Sequence, residues 1–283
     1  MKMNLKAFSC LFVLVILLIV GLEYVNGQAE LKGLFAKSES HPNGVEIHVI
    51  VDNNPYKMGL NTEWGFSCLV RGTNKTILFD MGSSDLTLLN NMRKMNITPE
   101  EVNVVVLSHI HSDHIGGLEG FLEKNHDVTI YLPKTFPEYI KEDYKASGAR
   151  VFEVTKVLKI CDKVYSTGVL EGWSQEQSLL IHLDSGGIVI TGCAHPGIVK
   201  ILKKAKEIIK DNIHLVMGGF HLRDANSNKI ETIVSSFKEI GVRYVGPAHC
   251  TGDQAMRFFK RTYQEQYIDV GVGKVISVKD LKR

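Results

Sequence analysis

The sequence predicts one α/β domain, because strand-like and helix-like segments alternate along the chain with no obvious linker between them. The chain has 283 residues, of which 44% are hydrophobic and 23% charged, so it is long and apolar enough to bury a large core. The formal net charge is +2, and no basic tract carries interleaved aromatic residues. We therefore predict no nucleic-acid partner.

The N-terminal segment differs from the rest of the chain. Two lysines precede an apolar run over residues 7–22, and polar and small residues follow it. This pattern predicts a secretory signal peptide over residues 1–27, or a membrane anchor if the segment is not cleaved. The run is short for a spanning helix, which needs roughly 20 apolar residues. We expect the domain over residues 28–283 to be secreted or periplasmic, with membrane contact only through this segment.

Strand and helix patterns alternate through the first half of the domain. Residues 45–51 carry apolar side chains at odd positions, as a half-buried strand does. The runs 66–70 and 76–80 flank Gly72-Thr73-Asn74 and predict a hairpin. Further strands are predicted at 102–108 and 129–132, and helices at 84–95, 98–101 and 136–147.

The second half repeats this alternation. Strands are predicted at 178–183, 187–191, 214–218 and 244–245, and helices at 197–210, 229–240 and 255–263. The lysine-rich stretch over residues 200–206 has isoleucine and leucine at helical spacing, which predicts a helix with a solvated basic face.

The string His109-Ile110-His111-Ser112-Asp113-His114 follows the strand predicted at 102–108. Imidazole and carboxylate groups bind zinc and similar divalent ions. In extended backbone His109 and His111 point to the same side, whereas Asp113 and His114 come after the strand has ended. A turn can bring this second pair to the other side of the same cavity. The spacing therefore suits two metal ions a short distance apart.

This string resembles the HxHxDH signature of the metallo-β-lactamase superfamily. Other segments resemble one branch of it, which includes the 7,8-dihydropterin-6-methyl-4-(β-D-ribofuranosyl)aminobenzene 5'-phosphate synthase-like proteins. These segments are Val51-Asp52-Asn53, Glu63-Trp64-Gly65-Phe66-Ser67, residues 76–82, residues 191–195, residues 218–222 and residues 247–252. The resemblance extends from about Val45 to Gly273. It implies a four-layer αββα sandwich, which periodicity alone does not give.

The resemblance also implies a set of ligands for two divalent ions. His195 would complete one metal site with His109 and His111. Asp113, His114 and His249 would hold the second ion. Histidine-rich ligation suits zinc, although manganese or iron fits the same geometry.

Other residues keep more than one interpretation. Cys193 stands where the superfamily commonly has a bridging aspartate, so it is either a metal ligand or a support for one. Asp80 is expected to orient a ligand histidine, with direct metal binding as the alternative. His221 is a ligand, a proton donor or a substrate contact, and Asp113 is a catalytic residue as well as a ligand.

Three residues are expected at the cavity mouth, where they would bind substrate. They are Asp52, Asn53 and Glu63, for which ordinary surface positions are the alternative. Trp64 stands where the branch usually has histidine. Two of the remaining cysteines, Cys68 and Cys161, are expected to be small buried hydrophobic residues.

Three functions follow from these residues. The first is a hydrolase that uses hydroxide bound by the two ions to cleave an ester, lactone or phosphoester in a small molecule. No serine-centred G-x-S-x-G segment is present, which argues against a serine hydrolase. The second is a transferase of the synthase type named above, which would release pyrophosphate. The third is a metal-binding or sensing protein without catalysis.

Overall fold

The computed structural model describes residues 44–281. The predicted leader at 1–27 and the segment at 28–43 lie outside the described residues. The strands are β1 (Glu46–Val51), β2 (Ser67–Arg71), β3 (Ile77–Phe79), β4 (Val104–Val106), β5 (Thr129–Pro133), β6 (Arg150–Val154), β7 (Leu158–Cys161), β8 (Val164–Ser166), β9 (Leu179–Leu183), β10 (Gly186–Thr191), β11 (Ile213–Gly219), β12 (Tyr244–Ala248) and β13 (Val275–Ser277).

The helices alternate with these strands. They are α1 (Asp85–Lys94), α2 (Ser112–Ile115), α3 (Leu118–Leu122), α4 (Glu138–Ala146), α5 (Ile198–Ile209), α6 (Ser227–Ile240) and α7 (Asp253–Tyr263). Short 3₁₀ turns occur at Pro99–Glu101, His249–Thr251, Gln264–Gln266 and Val278–Asp280. In the described part of the chain, no helix combines the length and the apolar character needed to span a membrane.

The strands form two sheets that each mix parallel and antiparallel pairs. The spatial order is β13-β1-β2-β3-β4-β5-β6 in the first sheet and β12-β11-β10-β9-β8-β7 in the second. Strands β3 to β6 are parallel to one another, and so are β10 to β12. Side chains that follow parallel strands emerge at one edge of a sheet, where α/β proteins place their ligands.

The main core lies between the two sheets. Phe66 and Phe79 from the first sheet region and Ile188 and Met217 from the second belong to one buried cluster. Helices α1 and α3 pack on the outer face of the first sheet, in a second apolar cluster. Helices α5 and α7 pack on β10 and β12 of the second sheet, and α6 packs against both of these helices. This order of helices, sheet, sheet and helices confirms the four-layer αββα sandwich.

Helix α5 shows how the sequence selects this packing. Ile201, Leu202 and Ala205 are fully buried, whereas Lys200 and Lys203 are exposed. The apolar positions recur at helical spacing, so one stripe of the helix faces the sheet and the lysines face water. The basic stretch is therefore the solvated face of a helix, as predicted.

Some elements differ from the predicted ones. Strand β4 covers Val104–Val106 rather than 102–108. At its start the Val102 N–H donates to Pro99 O of the preceding 3₁₀ turn at 3.1 Å, and beyond its end the Ser108 N–H donates to Asp80 Oδ1 at 2.7 Å. Helix α6 begins at Ser227, two residues early, because the Asn226 side chain caps it by accepting from Lys229 N. Strands β6, β7, β8 and β13 were not expected. Most are short, and β6 is a partly exposed edge strand without a clear apolar run.

Candidate metal centre

Side chains with metal-binding atoms follow the C-terminal ends of five strands. In the first sheet, Asp80 follows β3 and the segment 109–114 follows β4. In the second sheet, the corresponding residues are Cys193 and His195 after β10, His221 after β11, and His249 and Cys250 after β12. The two sheets therefore present these groups to one shared region.

The first ligand group contains His109, Cys193 and His195, whose donor atoms all lie within 4.8 Å of one another. His111 borders this group. Its Nδ1 atom is 3.1 Å from His109 Nε2, and its ring centroid is 4.7 Å from that of His195. The structure thus brings together the three histidines expected at the first metal and places Cys193 beside them.

The second ligand group contains Asp113, His114, Cys193 and His249, again with all donor atoms within 4.8 Å of one another. Asp113 Oδ2 lies 3.3 Å from His249 Nε2 and 3.6 Å from His114 Nε2. His114 Nε2 lies 3.2 Å from Cys193 Sγ. The three residues expected at the second metal are adjacent, and Cys193 belongs to both groups.

These donor atoms fit divalent metal ions. Imidazole, thiolate and carboxylate groups are the usual ligands of zinc. His249 Nε2 is buried and has no hydrogen-bond partner among the described residues, although Asp113 lies near it. Such an atom is costly to bury unless something binds it. Burial and the neighbouring histidines hold the pKa of His109 well below its usual value, which keeps a nitrogen lone pair available.

Asp80 supports the histidines from the side away from Cys193. Its Oδ2 atom is 2.7 Å from His114 Nδ1 and accepts a hydrogen bond from Ser108 Oγ at 2.7 Å. The same hydroxyl lies 2.8 Å from His109 Nδ1. Burial lowers the pKa of His114, but the Asp80 carboxylate outweighs burial and raises it to about 9. Without a metal this imidazole therefore holds a proton that a metal must displace.

Glu176 was not anticipated from the sequence. Its Oε1 atom accepts hydrogen bonds from the backbone N–H groups of Cys193 and Ala194, at 3.0 and 2.9 Å. Its Oε2 atom accepts from His195 N at 2.8 Å and lies 3.1 Å from His195 Nδ1. The side chain is fully buried. Glu176 stands three residues before strand β9 (Leu179–Leu183), and a charged residue so close to an apolar strand was the available signal.

The three residues expected at the cavity mouth occupy different places. Asp52 is fully buried. Its Oδ1 atom accepts a hydrogen bond from Asn54 N at 2.7 Å, and its Oδ2 atom accepts one from His249 N at 3.1 Å. Burial raises the pKa of Asp52 to about 7. This position does not fit a substrate contact, since both oxygens face the protein. Asn53 Oδ1 lies 3.0 Å from His249 Nδ1, and Glu63 accepts from Ser84 Oγ at 2.9 Å.

Exposed aromatic and basic side chains surround the ligand groups. The Trp173 ring is 4.7 Å from that of His195, and the Trp64 ring is 4.8 Å from that of His249. The Arg223 guanidinium lies 5.0 Å from the Trp64 ring centroid. His221 is also exposed, with its ring 4.6 Å from that of His195. The centre is therefore bordered by flat apolar surfaces, a fixed positive charge and a titratable imidazole.

Four residues of the centre have left-handed backbone conformations. Their φ angles are 54° at Asp80, 65° at Ala194, 52° at His221 and 46° at His249. Each such residue other than glycine costs roughly 1–3 kcal/mol. Buried carboxylates bind the backbone N–H groups of two of them, since Glu176 accepts from Ala194 and Asp52 from His249. The hydrogen bonds around the centre thus hold a strained backbone in place.

Comparison with known proteins gives consistent similarities. The model of the metallo-beta-lactamase superfamily matches residues 65–229. The chain is 28% identical to the 7,8-dihydropterin-6-methyl-4-(beta-D-ribofuranosyl)-aminobenzene-5'-phosphate synthase of Methanocaldococcus jannaschii, over 82% of this chain and 96% of that protein. It is 31% identical to an uncharacterised protein of the same organism, over 82% of this chain and 100% of that protein.

A solved structure shows the same similarity in three dimensions. Tm1679, a metal-dependent hydrolase of the beta-lactamase superfamily, is 31% identical to this chain and superposes with a TM-score of 0.69. The match covers 82% of this chain and 98% of Tm1679. The similarity thus covers most of both chains.

Proposed function

The chain belongs to the metallo-beta-lactamase superfamily, and on that premise we propose that it is a metal-dependent hydrolase of a small-molecule ester, lactone or phosphoester. The observation that carries the proposal is the pair of ligand groups that share Cys193. Each group offers zinc-type donors, and Cys193 belongs to both of them.

The residues of the chain would divide the work. His109, His111 and His195 would hold one divalent ion, and Asp113, His114 and His249 the other. When bound, two such ions would lower the pKa of a water molecule and stabilise negative charge that develops on the substrate.

The remaining side chains would position the ligands and the substrate. Asp80 fixes the orientation of the His114 ring through His114 Nδ1, and Glu176 fixes that of the His195 ring through His195 Nδ1. His221 is exposed beside the first group and would donate a proton or a hydrogen bond to the substrate. Arg223 supports a substrate that bears phosphate, because its guanidinium is exposed near the second group.

Metal content and hydrolysis test this proposal together. The purified protein should carry about two zinc-like ions per chain and hydrolyse some member of a panel of esters, lactones and phosphoesters. His111→Ala should lose metal and turnover. His126→Ala is the matched control, because His126 is exposed and has no place in the centre. Equally poor hydrolysis by metal-free and metal-loaded protein would contradict the proposal.

A transferase is the second candidate, and the name of the Methanocaldococcus jannaschii synthase favours it. An aryl amine would then attack a pterin methyl carbon and release pyrophosphate. Pyrophosphate that appears only when both co-substrates are present would support this candidate. Stoichiometric metal binding without turnover in either assay would instead favour the third function, a binding or sensing protein.

We also propose that the protein acts outside the cytoplasm, after removal of residues 1–27 or while anchored by them. The basic and apolar pattern of that segment supports this location. Cell fractionation with N-terminal sequencing tests it. An unprocessed protein found only in the cytosol would contradict it.

A further inference from the structure

A third group of ligand atoms lies beside the two histidine-rich groups, and sulfur dominates it. We propose that Cys193, His221 and Cys250 bind one soft metal ion, of the Zn²⁺, Cd²⁺ or Cu⁺ class, in a site that competes with the histidine-rich groups for Cys193. This inference goes beyond the proposed function, since Cys250 has no part in that function and the binding of the ion needs no substrate.

The position of each residue follows from the sheet topology. Cys193, His221 and Cys250 each stand two residues after the end of β10, β11 and β12, respectively. These strands are parallel neighbours in register, so their ends lie side by side. The three donor atoms all lie within 4.8 Å of one another. Adjacent strand ends therefore hold the three side chains together.

The packing around the two thiols fixes their positions. Cys193 and Cys250 are only 4% and 5% exposed, and Cys250 Sγ lies 3.5 Å from the Cys193 carbonyl oxygen. Gly219 lies against them, and a Cβ atom there would come within 2.7 Å of Cys250 Sγ. A side chain at this position would displace the sulfur, so the glycine keeps the thiols where they are.

His221 gives the site its path to solvent. The two cysteines are buried, whereas His221 is exposed and is held in a left-handed conformation with φ 52°. An ion arriving from solvent meets the imidazole first and then the sulfurs behind it. An entry path and a buried ligand pair are both requirements of a working metal site.

The donor set differs chemically from those of the neighbouring groups. Two thiolates and one imidazole favour thiophilic ions and leave a fourth coordination position open. The groups built from His109, Asp113 and the other imidazoles offer one sulfur at most. An ion bound between Cys193 and Cys250 would draw the shared sulfur away from both of those groups.

Cadmium titration tests the inference, because thiolate ligands give Cd²⁺ a charge-transfer band in the ultraviolet. The purified protein is first reduced with a phosphine, so that no added thiol competes. In Cys250→Ser the band should fall by about half, because one of two sulfur ligands is lost. Both Cys250→Ser and His221→Ala should weaken Cd²⁺ affinity by at least about tenfold.

Two further variants make the outcome decisive. Cys161→Ser should keep the wild-type band, since Cys161 is a buried free thiol in the core on β7. His111→Ala should also keep the band, because it disturbs only a histidine-rich group. Wild-type band and affinity in both Cys250→Ser and His221→Ala would overturn the inference. If Cys250→Ser does not fold, the exposed His221→Ala variant decides.

The same experiment separates this inference from the proposed function. A cadmium band that depends on Cys250 and His221, in a protein that hydrolyses nothing, would leave the thiol site standing and remove the hydrolase. Metal-dependent hydrolysis by a protein that shows no such band would support the hydrolase and remove the thiol site.

Discussion

Replacing Glu176 by glutamine should weaken both the fold and metal binding, although Glu176 belongs to none of the ligand groups. Its two oxygens accept hydrogen bonds from three backbone N–H groups and lie beside His195 Nδ1. Glutamine has one oxygen and one NH₂ group. In either orientation the NH₂ group takes the place of one carboxylate oxygen and faces the two N–H groups that this oxygen accepted from. Two of the four contacts are therefore lost.

The size of the effect follows from those contacts. Hydrogen bonds to a charged group contribute roughly 1.5–3 kcal/mol each, so losing two costs about 3–6 kcal/mol. Relief of the buried charge offsets part of this, and we expect the free energy of unfolding to fall by about 3 kcal/mol. In one orientation of the amide His195 loses the partner that fixes its ring, and in the other the backbone at Cys193 and Ala194 loses its acceptor. Metal affinity should therefore fall by about 10- to 100-fold.

Urea unfolding in the presence of a chelator measures the first effect, and metal titration by calorimetry measures the second. Glu171→Gln is the matched control, because the Glu171 carboxylate is exposed and accepts from the side-chain amide of the half-buried Gln175. It should change stability by less than about 0.5 kcal/mol. Wild-type stability and wild-type metal affinity in Glu176→Gln would refute the reasoning.

The same variant should change the response to acid. Burial raises the pKa of Glu176, but the hydrogen bonds it accepts outweigh burial and hold that pKa below the usual 4.5. Its stabilising contribution is therefore present above about pH 4.5 and lost as the pH falls toward the folded-state pKa. Unfolding measured from pH 7 to pH 3 should show a shallower loss of stability in Glu176→Gln than in the wild type.

Three other predictions concern the centre. In Gly192→Ala the new Cβ would overlap Ser108 Oγ and come within 2.9 Å of Asp80 Oδ2. Both groups support ligand histidines, so metal affinity measured by calorimetry should fall by about tenfold. An unchanged affinity would contradict this prediction. The chain has two tryptophans, and each packs on a histidine of the centre, so metal loading should change the intrinsic fluorescence. Trp64→Phe and Trp173→Phe should each remove part of that change. A change that keeps its full size in both variants would contradict this prediction. Because the His114 pKa is about 9, the deprotonated fraction of this imidazole rises between pH 7 and pH 9, and metal affinity should rise with it by up to about 50-fold. A flat profile would contradict this.

The candidate ligand residues could be named from the sequence because their signals are local or short. The segment 109–114 carries four ligand-type side chains within six residues after an apolar strand. The other ligands stand beside glycine or small residues at strand ends. The alternation of strands and helices indicates that β10, β11 and β12 are parallel, as the structure shows. Parallel neighbouring strands end at the same edge of the sheet, so the residues that follow them lie close together.

The supporting residues were not predictable in the same way. Glu176 binds backbone groups 17 to 19 residues away, and Asp52 binds His249 N across 197 residues. No local sequence pattern specifies a contact over such a distance along the chain. Asp52 was therefore expected at the cavity mouth, whereas the structure buries it completely. Strand β13 has three residues and forms only by pairing with β1, which comes more than 220 residues earlier. Tertiary pairing alone defines an element of this kind.

Both sheets contribute ligands to each histidine-rich group. His109 and His114 follow β4 of the first sheet, whereas Cys193, His195 and His249 follow strands of the second. An ion bound in either group would therefore tie one half of the sandwich to the other, as a covalent cross-link would. The binding energy then becomes part of the energy that holds the halves together, worth about 2.7 kcal/mol when free metal exceeds the dissociation constant a hundredfold. Metal supply would then shift the balance between folded and unfolded protein, and with it the amount of folded enzyme where metal is scarce.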